Sequence, residues 1–161
     1  MNLSSSRGHL RILLGAAPGV GKTYAMLREG HRLKASGRDV VIGLVETHNR
    51  PETVAQIGDL EVVPRARYER GSVVQEDLDV RAVLARKPDV VLIDELAHTN
   101  PTGAPRERRY EDVEVLLDSG IDVITTVNIQ HIESLHDVVE SITGIQVRET
   151  VPDRFVQEAD E

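Results

Sequence analysis

Nine consecutive residues, Gly15-Ala16-Ala17-Pro18-Gly19-Val20-Gly21-Lys22-Thr23, have the types and order needed to hold a triphosphate. Small residues let main-chain N–H groups curl around an anion. A helix starting near Gly21 adds the positive end of its dipole at the same point. Lys22 supplies a point charge for the outer phosphates, and the Thr23 hydroxyl is placed to ligate magnesium. The run follows an apolar stretch and precedes an amphipathic one, as the pattern G-x-x-x-x-G-K-[ST] requires. The first glycine of that pattern falls at Ala16, with the glycine displaced to Gly15; alanine serves there only if the backbone needs no positive φ. The plain alternative is a glycine-rich strand-to-helix turn, which leaves Gly21-Lys22-Thr23 in this context unexplained. The expected ligand is ATP with Mg2+, contacted by Ala16, Ala17, Pro18, Gly19, Val20, Gly21, Lys22, Thr23 and Tyr24.

A second acidic element lies downstream. In Pro88-Asp89-Val90-Val91-Leu92-Ile93-Asp94-Glu95, four apolar residues form a buried strand and an acid emerges at its carboxyl end. Asp94 is expected to hold magnesium through water, and Glu95 to orient or deprotonate an attacking nucleophile, with Lys22 as the other catalytic residue. A cap on the following segment is the plain alternative for Asp94. The Asp-Glu pair points to the additional-strand branch of the P-loop fold, the group of recombinase-like ATPases and thymidine kinase. The strand inserted between the P-loop strand and the acidic strand is then the run ending Thr125-Thr126-Val127-Asn128. Asn128 or Thr126 at its end is the candidate γ-phosphate sensor; Asn128 also suits a helix N-cap.

These residues need elements to position them. Apolar runs at 10–14, 40–45, 90–93 and 121–127 are nearly continuous, as expected of strands covered on both faces, with 60–63 a weaker candidate. Helical patterns occupy 22–36, 78–87, 107–119 and 129–143, and 145–151 is a candidate last strand. Strand–helix alternation predicts an α/β, P-loop NTPase-like three-layer sandwich with a mostly parallel sheet. In such a sheet every strand ends on one edge, where ligands bind. Glu46, with Thr47, His48, Asn49 and Arg50 beyond it, Asp94 and Asn128 all fall there. Glu46 and His48 are candidates for a second substrate or a partner, or else form a polar strand-end loop. The loop from His98 to Pro105 is a candidate switch responding to the γ-phosphate. Arg106, Arg108 and Arg109 follow, with Pro105 suited to a first helical turn. Cations there oppose the helix dipole, so they either meet an anion or form a solvated face beside Glu107 and Glu111.

The 161 residues suit one domain, read as a flexible start at 1–8, a nucleotide-binding domain at 9–151 and a polar tail at 152–161 that continues in the natural protein. There is no cysteine, which removes disulfides and thiolate metal sites. A net charge of -8 argues against a general nucleic-acid binder, and so does the scarcity of aromatics. Asp94-Glu95-Leu96-Ala97-His98 is superficially like a helicase box, but one acidic domain without a second motor domain argues otherwise. No apolar run approaches the roughly 18 residues of a membrane span, so a cytoplasmic location without membrane insertion is expected.

With these residues in hand, the chain closely resembles the N-terminal cytoplasmic domain of the osmosensitive potassium-channel sensor histidine kinases, the KdpD family. The matching stretches begin at Gly15, at Val45-Glu46-Thr47-His48, at Asp94, at Arg108-Arg109-Tyr110 and at Val127-Asn128. The displaced glycine also looks like the family's form of the loop. The resemblance implies an ATP/ADP-binding sensor and regulatory domain of a two-component system. Its partners would be the rest of a membrane-bound sensor kinase or a potassium-transport regulator. The leading expectation is a nucleotide-dependent switch; the alternative is a phosphotransferase (a P-loop serine or small-molecule kinase) or a slow ATPase.

Overall fold

The computed structural model describes residues 7–15, 20–128, 131–132, 150–153, 156 and 159. Its elements are β1 (Leu10–Gly15), α1 (Val20–Ala35), β2 (Val40–Leu44), α2 (Pro51–Ile57), β3 (Glu61–Val62), β4 (Ala66–Arg70), β5 (Val73–Asp77), α3 (Val80–Arg86), β6 (Val90–Ile93), α4 (Arg109–Asp118) and β7 (Asp122–Asn128). Five strands form one parallel sheet in the order β1-β7-β6-β2-β3. β4 and β5 pair apart from it as an antiparallel hairpin.

The apolar runs become strands because both faces are buried. Successive residues point to opposite sides. Val41, Val91, Ile93 and Val123 enter a core with Val83 of α3 and Val113, Leu116 and Leu117 of α4. Val40, Ile42, Val90, Leu92 and Ile124 enter a second core with Met26 and Leu27 of α1. The result is three layers, with α1 on one side and α3 and α4 on the other. β7 lies between β1 and β6, the place assigned to it from sequence. Among the described residues no helix is long and apolar enough to cross a membrane.

Several boundaries shift for local reasons. α3 starts at Val80, two residues later than the pattern suggests, because the Asp79 side chain accepts the Ala82 N–H at 3.0 Å and caps it. α4 starts at Arg109 rather than at 107, so Pro105 lies in the loop and not in a first helical turn. Glu111 accepts the Arg108 N–H at 2.9 Å, closing the helix start from inside. α2 was not expected; Pro51 at its first position is the signal for it. The hairpin was also not expected, because β4 and β5 are mostly exposed and carry no apolar run. Its one cue is a two-residue turn, Gly71-Ser72, with Gly71 at φ 60°.

The expected helix at 129–143 and strand at 145–151 lie outside the described residues except at 131–132 and 150–151. Where described, Ile132 and Val151 form an isolated parallel bridge.

Candidate functional site

The carboxyl edge of the sheet gathers the singled-out residues. Gly15 at the end of β1 is in register with Asn128 at the end of β7. Asp94 follows β6 directly, and Glu46 lies two residues beyond β2. Ala16, Ala17, Pro18 and Gly19, which join β1 to α1, lie outside the described residues, as does the Val20 side chain. The helix begins at Val20, so the main chain at Gly21 sits in the first turn.

Lys22 folds back over the end of β1. A Cβ placed on Gly15 would stand 2.6 Å from Lys22 Cδ and 3.0 Å from its Nζ. A side chain at 15 would have to displace the flexible end of the lysine that crosses it. At Gly21 a Cβ would meet nothing within 4 Å among the described residues. Tyr24 is 36% exposed at the surface of α1.

Asp94 is 1% exposed, and its carboxylate is fully bonded by neutral groups. Thr23 Oγ1 donates to Oδ2 at 2.9 Å. The Glu46 N–H donates to the same oxygen at 3.0 Å. Thr126 Oγ1 donates to Oδ1 at 2.7 Å and accepts the Glu95 N–H at 3.0 Å. Buried charges are ordinarily paired with a counter-charge or a metal; here two hydroxyls and an amide hold the carboxylate. Asp94 is thus more than a cap for the next segment. The Thr126 hydroxyl is committed to Asp94 and Glu95, and the residue is 2% exposed. It braces the acidic turn. Asn128 is different: its Oδ1 is buried and has no hydrogen-bond partner among the described residues.

Glu95 adopts a left-handed backbone, φ 57°. Partial burial raises its carboxyl pKa above the usual range, and the neighbouring Asp94 pushes the same way. His48 Nε2 lies 3.9 Å from Glu95 Oε1. His48 and Asn49 are themselves left-handed, φ 53° and 59°, so the segment beyond Glu46 turns sharply toward Glu95. Glu46 faces Arg65 at 3.7 Å.

The three arginines behave differently from either expectation. Arg109 is 1% exposed and pairs with Asp77 at 2.6 Å. Arg106 pairs with the largely buried Asp112. Arg108 donates to Thr150 O at 2.9 Å and lies 5.8 Å from the centre of the Tyr110 ring. Arg106 and Arg109 meet anions, but these are carboxylates of this chain, whereas Arg108 meets a neutral carbonyl and an aromatic ring, and no solvated basic face forms. Sequence reasoning missed Asp77 entirely. It ends a strand without an apolar run, and only its separation of 32 residues from Arg109, closed by the fold, gives it a partner.

The loop between β6 and α4 is tied at its base. Arg109 N–H donates to His98 O at 3.0 Å and Asn100 N–H to Glu107 O at 2.8 Å. Thr99 and Arg108 form an antiparallel bridge. The span available for a switch is thereby narrowed to the tip between Asn100 and Arg106.

Residues 6–161 match the family described as the osmosensitive K+ channel His kinase sensor domain, KdpD. The chain belongs to the KdpD sensor-domain family. Over 156 residues it is 57% identical to a putative sensor protein KdpD of Synechocystis, and over 156 residues 54% identical to the sensor protein KdpD of Escherichia coli K12. A Mycobacterium tuberculosis sensor protein KdpD is 53% identical over 160 residues. These alignments take in 96%, 96% and 99% of the chain, but 42%, 17% and 19% of the respective relatives. The chain therefore spans less than half the length of the curated KdpD relatives it matches.

Proposed function

We infer that the carboxyl edge of the sheet binds ATP as its magnesium complex and serves as a nucleotide-responsive switch in a potassium-responsive sensor histidine kinase. The observation that carries this reading is the 2.9 Å bond between Thr23 and the buried Asp94. A hydroxyl at the start of the first helix and an acid at the end of β6 meet where a P-loop protein of the additional-strand branch would hold a metal. Among the described residues no three acidic, His or Cys side chains cluster to hold an ion by themselves. One acid, one hydroxyl and phosphate oxygens instead suit magnesium, which keeps several waters.

The residues fit the nucleotide on three further counts. Lys22, lying across Gly15, would reach outer phosphates. Gly21 lies in the first turn of α1, whose main-chain N–H groups suit close approach of a phosphate. Asn128 Oδ1, without a partner among the described residues, stands at the strand end in register with Gly15, suited to hold a water or an amide-facing hydroxyl. Magnesium would neutralise charge on the β- and γ-phosphates. Thr23 would offer its hydroxyl to the metal, and Asp94 would hold the metal's water shell. Binding can then shift the domain between two states only as far as ATP and ADP are contacted differently. The longer relatives carry the name sensor protein. We assign this domain to the cytoplasmic side of such a protein, reading out nucleotide state to its kinase and phosphatase balance.

Glu95 favours a second reading, phosphoryl transfer or slow hydrolysis. Its place directly after Asp94 suits a proton acceptor, and burial raises its carboxyl pKa, which makes it a stronger base. Transfer of labelled γ-phosphate to a hydroxyl acceptor, against release to water, separates these outcomes from binding alone.

The test of the main reading is calorimetric titration with ATP and ADP, with and without magnesium. Wild type should bind Mg-ATP more tightly than Mg-ADP. Asp94→Asn, which retains the shape, should lose most of the magnesium dependence. Equal binding of ATP and ADP, or none, rejects the switch. A milder variant checks the lysine cradle. Gly15→Ala should push Lys22 aside at little cost to folding, since the crowded atoms belong to a flexible chain end. Its Mg-ATP affinity is expected to fall by about tenfold, roughly one charge-assisted hydrogen bond made worse. Unchanged affinity would show that Lys22 need not cross Gly15.

A further inference from the structure

Glu95 sits on a left-handed backbone, φ 57°, that residues with a side chain adopt only at a steric cost. Such a conformation persists only where the surroundings over-determine it. Its N–H is held by Thr126 Oγ1 at 3.0 Å. Its carbonyl accepts the His98 N–H at 3.1 Å. The same carbonyl accepts Arg109 Nη1 at 3.3 Å, and that nitrogen also donates to Asp94 O at 2.9 Å. One guanidinium nitrogen therefore straddles both carbonyls of the acidic turn.

Arg109 is an unlikely cation by its position. It is the first residue of α4, where a positive charge opposes the helix dipole, and it is almost wholly buried. A guanidinium in such a place is kept by what it bonds. Its other arm, Nη2, donates to Asp77 Oδ1 at 2.6 Å. His98 Nε2 lies 2.8 Å from Asp77 Oδ2, and the Leu78 N–H donates to Oδ1 at 2.7 Å. The carboxylate is thus saturated on both oxygens, and it fixes the plane of the guanidinium that faces Glu95.

We propose that Arg109 is the positioning residue for Glu95, clamping the Asp94–Glu95 carbonyls, and that Asp77 and His98 hold the clamp in place. Asp77 ends β5 of the exposed hairpin, Arg109 begins α4, and His98 opens the loop between β6 and α4. The clamp joins all three to the strand-end acid, so a change at Glu95 reaches the hairpin through the Arg109–Asp77 ion pair and the His98–Asp77 hydrogen bond. This rests on the role given to Glu95 above.

The first measurement is amide hydrogen exchange of the ligand-free domain. Arg109→Lys keeps the charge, but a single ammonium cannot span Asp77 and both carbonyls in the same planar fork. The His98 amide, bonded to Glu95 O, is expected to exchange at least tenfold faster, while the Val91 and Ile124 amides of the central strands keep wild-type protection. Asp77→Asn is expected to loosen the same amide less, and it carries the test should the lysine variant fail to fold. A folded Arg109→Lys with wild-type His98 exchange overturns the proposal. So does an equal loss throughout β6 and β7, which would make Arg109 a general core strut.

The second measurement is nucleotide preference. The lysine variant should bind Mg-ADP within twofold of wild type, while its preference for Mg-ATP over Mg-ADP falls severalfold. Retained preference beside a loosened His98 amide overturns the link to nucleotide state. Wild type that binds no Mg-ATP rejects the nucleotide reading, while a loosened His98 amide in the same protein still supports the clamp.

Discussion

Lys22→Ala is expected to weaken Mg-ATP binding by about two orders of magnitude, the loss of a charge-assisted contact worth roughly 1.5–3 kcal/mol. The ligand-free domain should melt within a few degrees of wild type. Lys22 lies in the first turn of α1, half exposed, and takes no part in either apolar core. Its side chain lies over Gly15, so truncation opens space at the surface and leaves no internal cavity. Calorimetry with Mg-ATP reads the first effect and thermal unfolding the second. Unaltered affinity in a folded variant would reject the phosphate loop as the binding element. Loss of both affinity and fold would show the lysine to be structural instead.

The second large effect concerns stability. Asp77→Asn leaves the Arg109 guanidinium buried beside a neutral amide, and breaking a buried pair from one side costs about 3–5 kcal/mol. The thermal midpoint should fall by roughly 10 °C for a chain of this size. The same pair predicts a pH dependence. Burial works to raise the Asp77 pKa, but the His98 contact and the Arg109 charge outweigh it and hold the carboxyl at about 2. A depressed carboxylate pKa means the unfolded chain binds its proton first as pH falls. The stabilisation is therefore fully present above about pH 4 and is lost as pH drops toward 2, about 2 kcal/mol in all. Urea unfolding between pH 3 and pH 7 should show wild-type stability rising with pH more steeply than that of Asp77→Asn. Parallel curves would mean that Asp77 is not ionised against Arg109 in the folded state.

Much of the architecture was readable because burial leaves a mark on residue type. The runs 40–45, 90–93 and 121–127 are nearly continuous in apolar residues, and they became strands with helices on both faces. The same rule hid the β4–β5 hairpin, whose residues are largely exposed and so need no apolar signature. It also hid Asp77, since an acid at the end of an exposed strand reads as surface until its partners are known. The arginines were misjudged for a related reason. Three cations near a helix start suggested an external anion or solvent, and the sequence contains no sign that Asp77 and Asp112 would take two of them inward.

The sequence by itself determined the chemistry of short stretches: Gly15, Gly21, Lys22 and Thr23 at a strand-to-helix junction, Asp94 and Glu95 at the end of an apolar strand, and the likeness to the KdpD family that these carry. Such chemistry depends on residue types within a few positions of each other. Tertiary structure alone decided that Thr23 bonds Asp94, that Thr126 braces the acidic turn while Asn128 Oδ1 stays unpartnered among the described residues, and that Arg109 reaches Asp77. Those contacts join residues tens of positions apart. Which polar groups meet is set by strand order and register, and strand order follows from the burial of apolar faces, not from the polar groups themselves.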